Sequence, residues 1–157
     1  MEPLTVSGTL DSLSAIANYV INAANEAGLD KKTTYKLRLA VDEIATNIII
    51  HGYEEAGCTG TIDVLAKLDS QRLSISLEDT GAIFDPTQRS TPDHLNLSLE
   101  KRPLGGLGVY LAIQSVDRFI YERIGDRNQT TFIVYRSPSN TKEATVTDIK
   151  LGEGVEK

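Results

Sequence analysis

The chain has 157 residues, of which 40% are hydrophobic and 24% are charged. This length suits one domain whose core folds without a metal or a disulfide, and the apolar content excludes a chain that is disordered throughout. Sixteen basic residues against twenty-two acidic ones give a net charge of −6, and no basic stripe marks a nucleic-acid-binding surface. We therefore expect small ligands and protein partners, and no direct contact with nucleic acid.

Two further features bear on the cellular location. The longest apolar run, Ile48-Ile49-Ile50, is far shorter than the roughly 20 residues of a membrane-spanning helix, and the first residues lack the basic and apolar regions of a secretory signal. The single cysteine, Cys58, suits a reducing compartment. A cytoplasmic protein without a membrane segment is the expectation, and one Cys with two His makes a zinc site improbable.

The first third of the chain predicts a short strand and two helices. Apolar side chains recur at helical spacing from Asp11, the predicted N-cap, to Gly28, where a left-handed residue is expected. A second helix begins after the N-cap Asp30 and runs to about His51, with Gly52 as its stop.

Two strand pairs follow, separated by a long connection and a third helix. Apolar and polar residues alternate on both sides of a turn at residues 69–71, as in an antiparallel sheet that is covered on one face. From about Gly81 to Gly106 the pattern breaks down, and connections of this length usually form lids or binding loops. A helix over residues 107–116 and strands over residues 119–123 and 130–135 complete the pattern.

This order predicts an α+β fold, a two-layer α/β sandwich with a mixed, mainly antiparallel sheet covered by helices on one face. We assign residues 1–136 to this domain. Residues 137–157 have no aromatic side chain and no sustained period, and we interpret them as a flexible C-terminal tail.

The first candidate site lies on the second helix, where Glu43 and Asn47 are four residues apart and project from the same side. A carboxylate can accept a proton from a hydroxyl or water, and an amide oxygen is a hard neutral ligand for Mg²⁺. Taken alone, the pair is more typical of a solvated helix face.

The second candidate site is Asp79-Thr80-Gly81, at the end of a strand. The Asp79 carboxylate is suited to accept a hydrogen bond from an exocyclic amine such as that of adenine, and Gly81 allows the backbone to approach a flat ring. An ordinary turn after a strand has the same pattern.

The third candidate site is Gly105-Gly106-Leu107-Gly108, which opens the third helix. Backbone N–H groups and the positive end of the helix dipole form a cradle for phosphates. A hinge or a close packing contact is the alternative. The spacing fits neither a P-loop nor a dinucleotide-binding fingerprint.

In this fixed order the three motifs resemble the GHKL, or Bergerat-fold, superfamily of ATPases and kinases. Residues 40–53 resemble its N-box, residues 79–86 its first glycine box and residues 105–109 its second. His51-Gly52-Tyr53 and Phe84-Asp85-Pro86 are most similar to the bacterial anti-sigma factor serine/threonine kinases, and the resemblance extends from about Leu4 to Tyr135.

The resemblance implies a role for each matching residue. Glu43 is the general base and Asn47 the Mg²⁺ ligand; Asp79 reads adenine with Gly81 beside the ring. The remaining nucleotide-binding residues would be the N-box histidine, the second glycine box and a strand hydroxyl: His51, Gly105, Gly106, Leu107, Gly108, and Thr130 or Thr131. For His51 a purely structural or capping role stays open.

The chain departs from the family pattern in two places. Leu104 stands where some members have an arginine that grips the protein substrate, so Arg102 is the nearest candidate for a partner contact. Ile83 replaces the second glycine of the stricter first glycine box, which bears on how the lid hinges.

The resemblance implies an anti-sigma factor serine/threonine protein kinase. With ATP and Mg²⁺ it would phosphorylate a Ser or Thr of a STAS-type anti-sigma antagonist, and it would bind a sigma factor, as a homodimer. The alternative is a nucleotide-dependent regulatory binding module without kinase turnover. The catalytic half of a histidine kinase is weaker, because His51 and His94 lie in the nucleotide box and the lid, and no phosphoacceptor domain fits in the chain.

Overall fold

The computed structural model describes residues 1–83, 106–136 and 146–151. This part of the chain contains six strands and three α-helices. The strands are β1 (Leu4–Ser7), β2 (Thr61–Leu68), β3 (Arg72–Asp79), β4 (Arg118–Ile124), β5 (Arg127–Tyr135) and β6 (Val146–Leu151). The helices are α1 (Leu13–Ala27), α2 (Lys31–Asn47) and α3 (Gly106–Gln114).

The strands form one sheet in the order β1-β2-β3-β5-β4-β6. Every neighbouring pair is antiparallel except β4 and β6, which run parallel. The predicted mixed, mainly antiparallel sheet is confirmed.

The sheet buries one face beneath the helices. Along β3, Leu73, Ile75 and Leu77 are buried and alternate with partly exposed neighbours, because successive side chains of a strand point to opposite faces. On the same face, the Phe119 and Phe132 rings pack edge to face with centroids 5.5 Å apart. The α+β prediction, with helices on one face, is therefore confirmed.

The ends of α1 and α2 follow from local sequence. Gly28 ends α1 with a left-handed φ of 76°, and Asp30 begins α2 because its carboxylate accepts a hydrogen bond from the Thr33 N–H at 2.7 Å. The N-cap of α1 differs from the prediction: a 3₁₀ turn over Leu10–Ser12 precedes the helix, Ser12 is its N-cap, and Asp11 accepts a hydrogen bond from the Thr9 hydroxyl instead.

The helix does not stop at Gly52, and that prediction is wrong. After Asn47 the chain continues as a π-helical segment over Ile48–Glu54, with the wide hydrogen bond from Glu55 N to Ile50 O at 2.8 Å. Only Gly57, with a φ of 71°, has the left-handed backbone of a helix stop in this region. π-Helical turns are rare and often occur at functional sites.

The chain after Tyr135 also differs from the sequence interpretation. Val146–Leu151 form β6 alongside β4, so this part of residues 137–157 is a strand. Its β-branched residues Val146, Thr147 and Ile149 were the available signal, but six residues with two charges are too few to establish a period. The other residues of the predicted tail lie outside the described part of the chain.

Much of the predicted lid, residues 84–105, also lies outside the described residues, and with it Gly105, Arg102 and His94. Among the helices that are described, none is long and apolar enough to cross a bilayer.

Candidate nucleotide-binding site

A cleft opens between the end of α2, the π-helical segment and the strands β3, β4 and β5. It is lined by Ile44, Ile48, Gly52, Asp79, Ala82, Tyr121, Asn128 and Thr130. Aliphatic side chains lie on its helical side and polar groups on the sheet.

Asp79 is the buried carboxylate of this cleft, with only 2% of its surface exposed. Its Oδ1 accepts two hydrogen bonds, from Gly81 N at 2.9 Å and from Asn128 Nδ2 at 2.9 Å. Burial raises the pKa of Asp79, and these two donors, with Arg123 and Arg127 nearby, oppose that rise. Oδ2 accepts no hydrogen bond from the described residues, which leaves it to accept one from a ligand.

Asn128 is a site residue that sequence analysis missed. Only 4% of it is exposed, and it lies directly opposite Asp79 in the register of β3 and β5. Besides contacting Asp79, its Nδ2 donates to Gly81 O at 3.2 Å. In sequence it is a polar residue two places before the threonines and belongs to no motif, so only its strand register reveals it.

Gly81 has a packing role in addition to the predicted approach to a flat ring. A Cβ on Gly81 would lie 2.7 Å from Gly52 O, and Ala82 N donates to the same oxygen at 2.9 Å. The first glycine motif therefore packs directly on the backbone of the π-helical segment, and only a residue without a side chain fits there.

Tyr53 stabilises the contact between the first glycine motif and the π-helical segment. Its ring is buried, and its hydroxyl donates to Thr61 O at 2.6 Å and accepts from Thr80 N at 3.0 Å. The ring also fills the space beside two glycines, since a Cβ on Gly8 would lie 2.5 Å from it and one on Gly60 2.8 Å. Tyr53 thus holds the residue that follows Asp79.

Glu43 and Asn47 lie together where α2 meets α3. A Cβ on Gly108 would lie 2.6 Å from Cδ and Oε2 of Glu43, so the carboxylate rests against the first turn of α3. Partial burial raises the pKa of Glu43, while the Asn47 amide acts in the opposite direction. A Glu with a raised pKa is a stronger base than an exposed one.

The structure distinguishes the two threonines of β5. Thr130 is buried and lines the cleft. Thr131 points to the opposite face of the sheet, where its hydroxyl lies 3.2 Å from that of Ser76. The placement therefore does not bring Thr131 to the site, because adjacent strand residues face opposite ways.

The remaining predicted residues lie at the edges of the site. His51 is on the π-helical segment, where Nδ1 lies 2.7 Å from Glu55 Oε1, and it is not among the residues that line the cleft. Gly106 and Leu107 form the first residues of α3, beside the Glu43 contact.

The residues present fit a magnesium nucleotide. Asn47 is 6% exposed, and its amide lies beside the Glu43 carboxylate, where a hydrogen bond from it acts to lower the Glu43 pKa. The amide oxygen Oδ1 is a hard neutral ligand of the kind that Mg²⁺ takes. Mg²⁺ is usually held by one or two protein ligands together with substrate phosphates. The described residues contain no cluster of three or more His, Cys, Asp or Glu side chains.

Comparison with known proteins gives the class of this domain. The model of the histidine kinase-like ATPase domain family matches residues 6–134. The chain therefore belongs to this family, and the predicted GHKL membership is confirmed.

The curated relatives include bacterial protein kinases. Serine-protein kinase RsbW of Bacillus cereus (strain ATCC 10987 / NRS 248) is 33% identical over 91 residues, which cover 56% of this chain and 56% of that protein. RsbW of Bacillus mycoides (strain KBAB4) is 34% identical over the same length and shares of the two chains. Serine/threonine-protein kinase BtrW of Bordetella bronchiseptica (strain ATCC BAA-588 / NCTC 13252 / RB50) is 28% identical over 106 residues, 68% of this chain and 73% of that protein. The chain thus spans just over half the length of the RsbW relatives it matches.

Proposed function

We propose that this chain is an ATP-dependent protein serine/threonine kinase that also acts as an anti-sigma factor. The observation that carries the proposal is the convergence of three distant motifs on one helix. Gly108 packs on Glu43, and Gly81 packs on Gly52 at the π-helical end of the same helix. The names of the relatives as serine and serine/threonine kinases support the same class.

In this proposal Asp79 Oδ2 accepts the exocyclic amine of adenine, and Thr130 lies beside it in the cleft. The N–H groups of Gly105, Gly106, Leu107 and Gly108 bind the phosphates, because the N-terminus of α3 carries the positive end of its dipole. Oδ1 of Asn47 is the ligand that the chain offers to Mg²⁺, which, when bound, neutralises phosphate charge.

Glu43 accepts the proton of a Ser or Thr hydroxyl as that oxygen attacks the γ-phosphorus and the bond to the β-phosphate oxygen breaks. Its raised pKa suits this role, and its position against Gly108 places it beside the predicted phosphate cradle. The substrate in this proposal is a STAS-type antagonist, contacted through Arg102. A sigma factor would be bound in turn, by a homodimer.

The test uses Glu43→Gln, which keeps the shape of the side chain against Gly108 and removes its basicity. With labelled ATP, Mg²⁺ and a panel of STAS-domain proteins, we expect transfer to a Ser or Thr to fall by about 100- to 10,000-fold. The Kd for ATP should stay within about threefold. Ser76→Ala, on the opposite face of the sheet, is the matched control and should change neither quantity.

Two results would refute parts of the proposal. An absence of ATP and ADP binding in calorimetry with Mg²⁺ would exclude the nucleotide site. Undiminished transfer by Glu43→Gln would exclude Glu43 as the base.

A nucleotide-dependent regulatory binding module is the second candidate function. The observation in its favour is that the Glu43 carboxylate already has a packing role against Gly108, which would explain its presence without any transfer. Binding of ATP without label on any STAS-domain protein, together with nucleotide-dependent capture of such a protein, would favour this candidate.

A further inference from the structure

Asn128 occupies a central place in the sheet beneath the cleft. It is opposite Asp79 on β3 and opposite Arg123 on β4, so its side chain reaches groups from both neighbouring strands. Its amide makes five hydrogen bonds, with Tyr121, Arg123, Asp79, Gly81 and Ala82.

The chemistry of these contacts fixes which way the amide points. Asn128 Oδ1 accepts from Tyr121 Oη at 2.7 Å and from Arg123 Nη1 at 3.0 Å. A guanidinium is a donor only. Rotating the amide by half a turn would place two N–H groups against Arg123 and a carbonyl oxygen against the Asp79 carboxylate, so Nδ2 must face Asp79.

This orientation also determines which carboxylate oxygen of Asp79 is left for a ligand. Oδ1 is occupied by the two donors Asn128 Nδ2 and Gly81 N, both at 2.9 Å, whereas Oδ2 accepts nothing from the described residues. The same Nδ2 donates to Gly81 O at 3.2 Å, which ties the glycine turn to the carboxylate. The Asp79 carboxylate therefore cannot rotate freely, and a single oxygen remains for a ligand.

We propose that Asn128 is a positioning residue that sets the preference of the site for a purine bearing an exocyclic amine, by fixing Asp79 so that Oδ2 alone faces the base. This inference rests on the proposed nucleotide site. In this inference Asn128 on β5 orients Asp79, and Tyr121 and Arg123 in turn orient Asn128. A threonine hydroxyl does not have this role.

The test compares two nucleotides in calorimetry with Mg²⁺: ATP, and purine riboside triphosphate, which lacks the amine. We expect the unmodified protein to bind ATP at least about tenfold more tightly, because only ATP has the amine that donates a hydrogen bond to the charged Asp79 carboxylate. In Asn128→Ala the ratio should fall to within about threefold of unity. Tyr121→Phe, which removes one of the two donors that orient the amide, should give an intermediate ratio and guards against failure of the first variant to fold. Ser76→Ala should keep the full ratio.

The outcomes distinguish a failure of the inference about Asn128 from a failure of the proposed nucleotide site. If the unmodified protein binds neither nucleotide, both are overturned. If it binds both equally, or if folded Asn128→Ala weakens the two nucleotides alike and keeps their ratio, the role of Asn128 is overturned while the nucleotide site stands. If Asn128→Ala does not fold and Tyr121→Phe keeps the full ratio, the inference is likewise overturned.

Discussion

Replacing Gly108 with Ala tests how closely the position of Glu43 is set by α3. A Cβ at Gly108 would lie 2.6 Å from Cδ and Oε2 of Glu43, against 3.4 Å for an ordinary contact. The carboxylate must therefore move by 0.8 Å, the difference between these two distances. Because it is the flexible end of a side chain, it can do so without moving the backbone.

We expect a small effect on stability and a large one on transfer. A shifted rotamer costs about 0.5–1.5 kcal/mol, and Ala in place of Gly within a helix gains about 1 kcal/mol, so the free energy of unfolding should change by less than about 1 kcal/mol. A displacement of about 1 Å in a reacting group can lower a rate about 100-fold.

The assay pairs urea unfolding with phosphoryl transfer to a STAS-type protein, in Gly108→Ala alone and combined with Glu43→Gln. In the Glu43→Gln background the second change should have little further effect on transfer, since the base is already absent. Full transfer activity of Gly108→Ala would refute the reasoning, as would a loss of stability above about 2 kcal/mol, which would show that the carboxylate cannot yield.

Three further predictions concern the described fold. Tyr53→Phe should lower the free energy of unfolding by about 1–3 kcal/mol in urea titrations, because Thr61 O and Thr80 N lose their partner; an unchanged midpoint would contradict this. Gly57→Ala should lower the free energy of unfolding by about 1–2 kcal/mol, since the φ of Gly57 is 71°, whereas Gly52→Ala should lower it by less than about 0.5 kcal/mol. Equal losses in urea titrations would indicate that Gly52 is the helix stop after all. Burial raises the pKa of Asp79, so the folded state keeps this proton to higher pH than the unfolded state, and the Asp79 contribution to stability falls as pH rises from about 4. The free energy of unfolding of Asp79→Asn should therefore increase relative to that of the unmodified protein as pH rises through this range. If the two proteins have parallel pH profiles, the raised pKa is contradicted.

The elements that sequence predicted well are those with a strong local signal. Asp30 and Gly28 carry a cap and a left-handed turn that depend on a few neighbouring residues, and the alternation through β2 and β3 matches a sheet with one buried face. Glu43 and Asn47 could be proposed from the sequence because their spacing on a helix is local as well.

The features that sequence missed depend on partners far along the chain. Nothing near Gly52 distinguishes an α-helical stop from a π-helical continuation; the contact that uses its carbonyl comes from Ala82. Asn128 is identified only through its register with Asp79, 49 positions away. Thr130 and Thr131 could not be separated until the strand that carries them was paired.

The position of β6 has a practical consequence for anyone who shortens this protein. A version cut after Arg136 would remove β6 and expose the edge of β4 along Arg118–Arg123, the six residues that pair with it, leaving backbone N–H and C=O groups there without partners. Such a rim invites pairing with another molecule and precipitation. Expression trials should therefore keep the chain through Leu151, even though the family match ends at residue 134.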